Sequence, residues 1–119
     1  EAKKRDLTAQ SRTLYFDSGK SSLAMTDELR QYFRDVKTYL EQDPKATVNL
    51  TGHTDDVGSN AANQRLGLRR AGEVKTQLTR IGIANKKIAT ASKGETEPVQ
   101  SNATAEGKQA NRRVEMLVK

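Results

Sequence analysis

Cysteine and tryptophan are absent from the 119-residue chain, and histidine occurs once. Without cysteine the chain cannot form a disulfide, a thiolate metal site or a thiol nucleophile. The single His53 excludes a multi-histidine metal site, and no nucleophile motif stands near it. No apolar run approaches the roughly 20 residues that a membrane-spanning helix needs. We therefore expect no metal, no cofactor, no catalytic residues and no membrane span.

Aromatic residues make up only 4% of the chain and apolar residues 34%, so the core has to pack Leu, Ile, Val and Ala in regular layers. The length fits one domain. Lys and Arg number 21 against 15 Asp and Glu, which gives a formal net charge of +6. The cations are scattered among acidic residues without interleaved aromatic residues. This pattern argues against nucleic-acid binding and is typical of a solvated surface.

Strand and helix signals alternate along the chain. Apolar residues recur at steps of three and four over residues 24–42, which predicts an amphipathic helix capped by Thr26. A second helix is predicted over residues 62–80 and is ended by Gly82. A polar loop at 53–61 precedes it, and a short turn is predicted at 105–110. Apolar and alternating patterns predict four strands, at residues 12–16, 46–52, 88–92 and 113–119.

This βαβαββ-like order predicts an α+β domain in which two main helices pack on one face of a mixed sheet. The polar residues 1–11 are predicted to be a linker or the tail of an upstream segment, and residues 12–119 the domain. Because the chain begins at Glu1 with neither Met nor a signal peptide, we expect it to be part of a longer protein.

One charged residue of the second helix lies on its apolar stripe. At about 100° per residue, Arg70 falls about 40° from Leu66, on the same side as Val74 and Leu78. A guanidinium there has to reach solvent at the edge of the core or bind an anionic partner. Asn63 lies two turns earlier on the same stripe.

Two interpretations of Arg70 remain open from the sequence. In one, Arg70 forms an internal ion pair with Asp55 or Asp56 in the preceding loop. In the other, Asp55 and Arg70 stand on opposite walls of a cleft and grip a ligand that carries both an ammonium and a carboxylate. Arg suits the carboxylate because its planar fork binds two oxygens, and ionised Asp suits the ammonium because it only accepts hydrogen bonds.

Two further guanidiniums, Arg112 and Arg113, stand at the start of the last strand. Alternation with Val114 predicts that Arg112 points to the core-facing side near the end of the sheet and that Arg113 faces outward. Such a basic strand end is either a solvated surface feature or a set of contacts for an anionic ligand.

Several short motifs occur in order: Gly52-His-Thr-Asp-Asp-Val-Gly58, Asn63-Gln-Arg-Leu66, Arg70-Ala71, Gly94-Glu-Thr-Glu-Pro98, Asn102, Gly107 and Asn111-Arg-Arg-Val114. In this order and spacing they resemble the OmpA-like C-terminal domain, the peptidoglycan-binding module of outer-membrane proteins, lipoproteins and flagellar stator subunits. Phe16-Asp17, followed by Leu23, is similar to the first strand and turn of that family. The resemblance covers residues 12–118.

The resemblance implies a mixed sheet with helices on one face. It also implies a ligand, the diaminopimelate of the peptidoglycan stem peptide, which has an amine and a carboxylate on one carbon. The residues that grip this group in the family match Asp55 and Arg70. Supporting contacts would fall on Thr54, Asn63 and Arg112, and Asp17 would line the same cleft. The implied role is non-enzymatic anchoring to the cell wall in the periplasm, within an outer-membrane protein or lipoprotein.

Three features depart from the family's usual pattern. Gly67 stands where the family usually has Ser, and Ser92-Lys93 replaces Gly-Tyr before Gly94. Gly19 stands where some members present a polar side chain to the ligand. The first two departures concern the second helix and a strand, and the third concerns affinity.

Three rival functions share parts of the pattern. An enzyme acting on the cell wall would use Asp55, Asp56 and His53 as acid, base or metal ligands, but neither a metal motif nor a nucleophile accompanies them. An interaction domain would bind nucleic acid, acidic lipid or another anionic partner through its basic surface, with steep salt dependence and no selectivity for diaminopimelate. A structural domain would use the Asp–Arg pair internally.

Overall fold

The computed structural model describes residues 6–119. Strands and main helices follow one another as β1 (Arg12–Tyr15), α1 (Asp27–Gln42), β2 (Val48–His53), α2 (Asn60–Arg80), β3 (Ile88–Gly94), α3 (Ala105–Asn111) and β4 (Arg113–Val118). The predicted linker or tail at 1–11 lies partly outside the described residues. Within the described part, residues 6–8 are helical and Leu7 packs into the core. Across residues 6–119, none of the helices is long and apolar enough to cross a membrane.

The strands form one mixed sheet in the order β1-β4-β2-β3. β4 runs antiparallel to both β1 and β2, whereas β2 and β3 are parallel. A parallel pair requires a crossover connection, and α2 supplies it between β2 and β3. The α+β prediction with a mixed sheet is confirmed.

The core lies between one face of the sheet and the apolar stripes of α1 and α2. The predicted stripe of α1 is buried at Leu29, Phe33, Val36 and Leu40. The strands contribute alternate residues to the same core: Leu14, Val48, Leu50, Ile88, Val114, Met116 and Val118. Thr26 caps α1 as predicted, because its Oγ1 accepts a hydrogen bond from the Leu29 N–H at 3.1 Å.

The strand ends differ from the prediction by one or two residues, and two further differences concern helices. α2 begins at Asn60 rather than at residue 62, because the Ser59 Oγ accepts from the Ala62 N–H at 3.1 Å and serves as its N-cap. The predicted turn at 105–110 is the helix α3. Its N-cap is Thr104, whose Oγ1 accepts from the Gly107 N–H at 2.9 Å. A helix of seven residues is too short to show a clear apolar period, which is why the sequence suggested only a turn.

Two glycines set how closely α2 approaches the sheet. A Cβ on Gly52 of β2 would overlap the backbone carbonyl of Gly67 of α2, and a Cβ on Gly67 would overlap the Ser92 Oγ of β3. A side chain at position 67 and the Ser92 hydroxyl group therefore compete for one shared space. This close contact holds the N-terminal half of α2 against the ends of β2 and β3.

Candidate functional site

Arg70 is fully enclosed at the junction of α2, β2 and the turn after β1, with 0% of its surface exposed. Its Nε donates to the Lys20 carbonyl at 2.8 Å, its Nη1 to the His53 carbonyl at 2.9 Å and its Nη2 to the Asp17 carbonyl at 3.1 Å. The guanidinium carbon also lies 5.4 Å from the centre of the Phe16 ring. One planar cation thus ties three separate segments together.

Burying the charge of Arg70 carries an unfavourable desolvation free energy. Burial lowers the pKa of Arg70 to about 10, the nearby Asp55 opposes this change, and Arg112 and Arg69 add to the lowering. A pKa of about 10 still leaves the guanidinium protonated at neutral pH. Its hydrogen bonds in the described part of the chain all go to carbonyl oxygens rather than to a carboxylate.

Asp55 is also buried, with 5% of its surface exposed, and it pairs with a different arginine. Its Oδ2 lies 3.1 Å from the Arg112 Nη1, and its Oδ1 accepts from the Val57 N–H at 3.1 Å. The internal ion pair between Arg70 and Asp55 or Asp56, one of the two interpretations of the sequence, is therefore not formed among the described residues. Asp56 is exposed. The loop is held by Arg112 instead.

Arg112 ends α3 and points into the same junction. Its Nε donates to the Phe16 carbonyl at 3.0 Å, and its Nη2 donates to the Gln109 Oε1. The side chain keeps 13% of its surface exposed, whereas the Arg70 side chain keeps none. Arg112 therefore lies nearer to solvent than Arg70, beside Asp55.

The prediction that Arg113 faces solvent is wrong, because only 3% of its surface is exposed. Its Nε donates to the Glu115 Oε2 at 2.8 Å, and its Nη2 and Nη1 donate to the carbonyls of Glu97 and Asn111 at 3.1 and 3.4 Å. Alternation correctly places Arg113 on the opposite face from Val114. The sequence did not show that the segment before β4 covers that face.

Thr54 and Asn63 fix the backbone of the loop that carries Asp55. The Thr54 Oγ1 donates to the Asp55 carbonyl at 2.7 Å, and the Thr54 N–H donates to the Gly94 carbonyl at 2.9 Å. The Asn63 Nδ2 donates to the Asp55 carbonyl at 3.3 Å and to the Glu95 Oε1 at 2.9 Å. Both N–H groups of Asn63 are therefore used, which leaves its Oδ1 to act as an acceptor.

The six residues predicted for the site lie at this one junction in two hydrogen-bonded groups: Arg70 with Asp17, and Asp55 with Thr54, Asn63 and Arg112. Asp17 takes part through its carbonyl, while the residue itself is exposed. Sequence reasoning missed Gln109 and Glu95 as members of the network. Glu95 lies within a quoted motif, but its bond to Asn63 spans 32 residues of sequence and has no local signal.

His53 lies on the opposite face of the sheet from Arg70, although its carbonyl accepts from that residue. It is buried, with 2% of its surface exposed, and neither ring nitrogen has a hydrogen-bond partner among the described residues. The Glu115 Oε2 lies 3.9 Å from its Nε2. Burial lowers the pKa of His53 and Arg113 adds to this effect, whereas Glu115 opposes it.

We expect the neutral form of His53 to stabilise the fold in a pH-dependent way. An unfolded chain protonates histidine near pH 6.5, and the folded-state pKa is lower, so the unfolded state takes up the proton first as the pH falls. The stability contribution is complete above about pH 6.5 and is lost below it. In an NMR titration, the resonance of this single histidine should have a lower midpoint in the folded chain than in urea. An equal or higher midpoint in the folded chain would contradict the expectation.

No group of three or more His, Asp or Glu side chains is placed to hold a metal ion within the described range 6–119. The site presents one buried carboxylate, two guanidiniums and the Asn63 amide oxygen.

Comparison with known proteins connects this geometry to a family. The OmpA family matches residues 15–112. Outer membrane protein A of Bordetella avium is 40% identical over 104 residues, which are 87% of this chain and 53% of that protein. The peptidoglycan-binding protein ArfA of Mycobacterium bovis is 43% identical over 83 residues, 70% of this chain and 26% of that protein. The chain thus spans about half of one relative and a quarter of the other.

The fold has a close counterpart in a solved structure. The peptidoglycan-associated lipoprotein of Burkholderia pseudomallei superposes with a TM-score of 0.82 at 26% identity, over 91% of this chain and 90% of that one. The family match covers both walls of the site, from the end of β1 to Arg112. The chain belongs to the OmpA family.

Proposed function

We propose that the chain binds peptidoglycan non-covalently through the diaminopimelate of the stem peptide and so anchors its parent protein, or the outer membrane, to the cell wall. The observation that carries the proposal is that a buried carboxylate, Asp55, and a buried guanidinium, Arg70, lie at one junction without pairing with each other among the described residues. The names of two relatives, a peptidoglycan-binding protein and a peptidoglycan-associated lipoprotein, support it.

The cellular setting follows from the relatives. Outer-membrane proteins and lipoproteins are among them, so we place this domain in the periplasm as part of such a protein. The prediction that the chain is not an enzyme is confirmed by its family, which includes proteins named for peptidoglycan binding or association. The described residues therefore have to provide a binding site and not a reaction centre.

The ammonium of diaminopimelate would bind on the Asp55 side. Each carboxylate oxygen of Asp55 has one hydrogen-bond partner and can accept another. The Asn63 Oδ1 is a second acceptor, because the amide N–H groups of Asn63 are already used by the Asp55 carbonyl and Glu95. The ammonium would thus be recognised by acceptors alone.

The carboxylate of diaminopimelate would bind on the arginine side. Each terminal nitrogen of Arg70 uses one N–H for a carbonyl, so each has a second N–H to offer. The carbonyls of Asp17 and Lys20 cover this guanidinium, and the turn at 17–20 that carries them is exposed. We place the approach of the carboxylate at this turn, with Arg112 as the more exposed cation beside it.

The first test is a calorimetric titration of the wild type with a diaminopimelate-containing stem peptide and with the matching lysine-containing peptide. Lysine lacks the carboxylate beside its side-chain amine, so it keeps the contact to Asp55 and loses the contact to the arginines. One charge-assisted contact contributes about 1.5–3 kcal/mol, so we expect the lysine peptide to bind at least about tenfold more weakly.

A matched pair of variants tests the carboxylate. Asp55→Asn keeps the shape of the buried side chain and removes its charge, and it should weaken binding of the diaminopimelate peptide by at least about tenfold. Asp56→Asn makes the same change at the exposed neighbour and should alter affinity less than about twofold. Circular dichroism and urea unfolding would confirm that both variants are folded.

The alternative is a structural or interaction domain with an internal Asp–Arg pair and a basic surface for another anionic partner. The ion pair between Asp55 and Arg112 is the observation that favours it. Equal binding of the two peptides by the wild type, or equal affinity of Asp55→Asn and Asp56→Asn, would support this alternative over the diaminopimelate site.

A further inference from the structure

A groove between α1 and α2 lies outside the network around Arg70. Its larger cavity has a volume of about 370 Å³. It is lined by residues of both helices and of the segments beside them: Met25, Arg30, Phe33, Arg34, Lys37, Gln77 and Ile81. None of these residues takes part in the hydrogen-bond network of the proposed peptidoglycan site. We call this feature the α1–α2 groove.

The α1–α2 groove has an apolar floor. Phe33 is buried at its base, and Met25 and Ile81 are partly exposed beside it. Beyond Lys37 the groove continues into a second cavity of about 170 Å³, where Leu40 and Ile83 are among the lining residues. The floor therefore runs along most of α1, and its accessible apolar surface is supplied by Met25 and Ile81.

The rim of the larger cavity is basic, whereas the second cavity is lined by Glu41 as well as by Lys37 and Lys87. Arg30, Arg34 and Lys37 are spaced by four and three residues along α1, so they form a row on one face of the helix that is about 10 Å long. Arg30 is paired with Asp27 at 3.3 Å, and Arg34 donates to the neutral Gln31. The charges of Arg34 and Lys37 are thus not paired with a carboxylate in the described part of the chain.

We propose that the α1–α2 groove docks an acidic amphipathic helix of a partner protein. A row of cations with one-turn spacing matches carboxylates that recur with the same spacing on a second helix. A single lipid or phosphate headgroup would instead require cations gathered around one point. The apolar floor between the helices then accepts the apolar stripe of the partner helix, as in other helix-in-groove complexes.

Fluorescence anisotropy with a labelled synthetic peptide tests the proposal. The probe is a helix of roughly 18 residues, about 27 Å long, built from Leu, Ala and Glu with a leucine stripe flanked by glutamates. A peptide of the same composition in scrambled order, which has no stripe, is the reference. We expect the wild type to bind the amphipathic probe at least about tenfold more tightly than the scrambled one.

Two charge-reversal variants with equal net charge distinguish binding at the groove from nonspecific electrostatic attraction of the acidic probe. Arg34→Glu with Lys37→Glu should weaken binding of the probe by at least about tenfold. Arg65→Glu with Lys45→Glu changes exposed residues outside the groove and should weaken it less than about threefold. Both variants should bind the diaminopimelate peptide as the wild type does, so failure of one proposal is distinguishable from failure of the other.

Other occupants would give different results, and each would overturn the proposal. Equal weakening in the two variants would mean that net charge alone attracts the probe. If the wild type formed concentration-dependent dimers and the variant Arg34→Glu with Lys37→Glu did not, the occupant would be a second copy of the chain. If the wild type bound phosphatidylglycerol vesicles but not the probe, and the same variant lost the vesicle binding, the occupant would be a lipid surface.

Discussion

Replacing Arg70 with Met is expected to lower the free energy of unfolding by about 3 kcal/mol and to abolish binding of the diaminopimelate peptide. Met keeps the length and most of the apolar volume of the side chain but removes all of its N–H groups. The carbonyls of Lys20, His53 and Asp17 then lose their donor. The prediction is measured by urea unfolding and by calorimetric titration.

The three carbonyls do not contribute equally to this loss. Asp17 and Lys20 lie in an exposed turn, where water can replace the guanidinium as a donor. His53 is buried, so its carbonyl would remain without a partner at a cost of about 1–3 kcal/mol. Loss of the cation above the Phe16 ring destabilises the fold further. Removing a buried charge partly offsets the destabilisation, because the charge no longer has to be desolvated.

Two control variants show which property of Arg70 matters. Arg69→Met makes the same change at the exposed neighbour and should alter stability by less than about 0.5 kcal/mol. Arg70→Lys keeps the positive charge but replaces a planar fork with one nitrogen, so it cannot reproduce three donors arranged around a plane. We expect Arg70→Lys to recover part of the stability while binding stays at least about tenfold weaker than in the wild type.

The Arg70 prediction has two independent ways to fail. Wild-type stability in Arg70→Met would mean that water serves all three carbonyls as well as the guanidinium does. Wild-type affinity in a folded Arg70→Lys would mean that the planar fork is not used for the ligand carboxylate. Arg112 would then be the cation that binds it, because it is the more exposed of the two.

Helical periodicity was sufficient to single out Arg70 as a charged residue in an apolar position, but not to name its partners. The sequence suggested Asp55 or Asp56 as the partner of Arg70, because a carboxylate is the side chain that most readily pairs with a guanidinium. The structure uses backbone carbonyls instead. Every residue has a carbonyl, so such acceptors leave no signal in the sequence, and only the fold shows which ones converge.

Strand alternation had a similar limit at Arg113. A period of two assigns a side chain to one face of the sheet, and that assignment held relative to Val114. Whether another segment covers the face depends on long-range packing, here the carbonyls of Glu97 and Asn111. The motifs were more informative than the periodicity, because their positions alone indicated the loop, the helix and the strand end that meet at the site.

The departures at Gly67 and Ser92 show what a sequence comparison alone could not explain. Each seemed a separate change, one that weakens a helix and one that alters a strand. In the fold the two positions share one space, because a side chain at position 67 would overlap the Ser92 Oγ. A long helix packed this close to a sheet leaves little room for change at the contact itself.

Gly52→Ala is the second substitution with a large expected effect, a loss of about 3 kcal/mol or more in the free energy of unfolding. The new methyl group would overlap the Gly67 carbonyl, which belongs to the backbone of α2 and cannot rotate away. The whole helix would have to move from the sheet, and cavities would open around Val74 and Leu78, which are both fully buried.

Gly72→Ala is the matched control, because it adds the same methyl group to α2 at a position where nothing lies within 4 Å. It should stabilise the fold by about 0.5–1 kcal/mol, since alanine favours helix more than glycine does. Urea unfolding of both variants gives the comparison. Equal stability of the two would mean that the Gly52–Gly67 contact does not set the distance between α2 and the sheet.

The displacement expected in Gly52→Ala should also reach the ligand site, because α2 carries Asn63 and Arg70 whereas β2 ends at His53. A shift of α2 lengthens the bond from the Arg70 Nη1 to the His53 carbonyl, now 2.9 Å, and moves the Arg70 donors away from Asp55, which lies in the loop after β2. A folded Gly52→Ala should therefore bind the diaminopimelate peptide at least about tenfold more weakly, while Gly72→Ala binds as the wild type does. Unchanged affinity in a destabilised Gly52→Ala would mean that the site tolerates a shift of its helix, and that close packing serves stability alone.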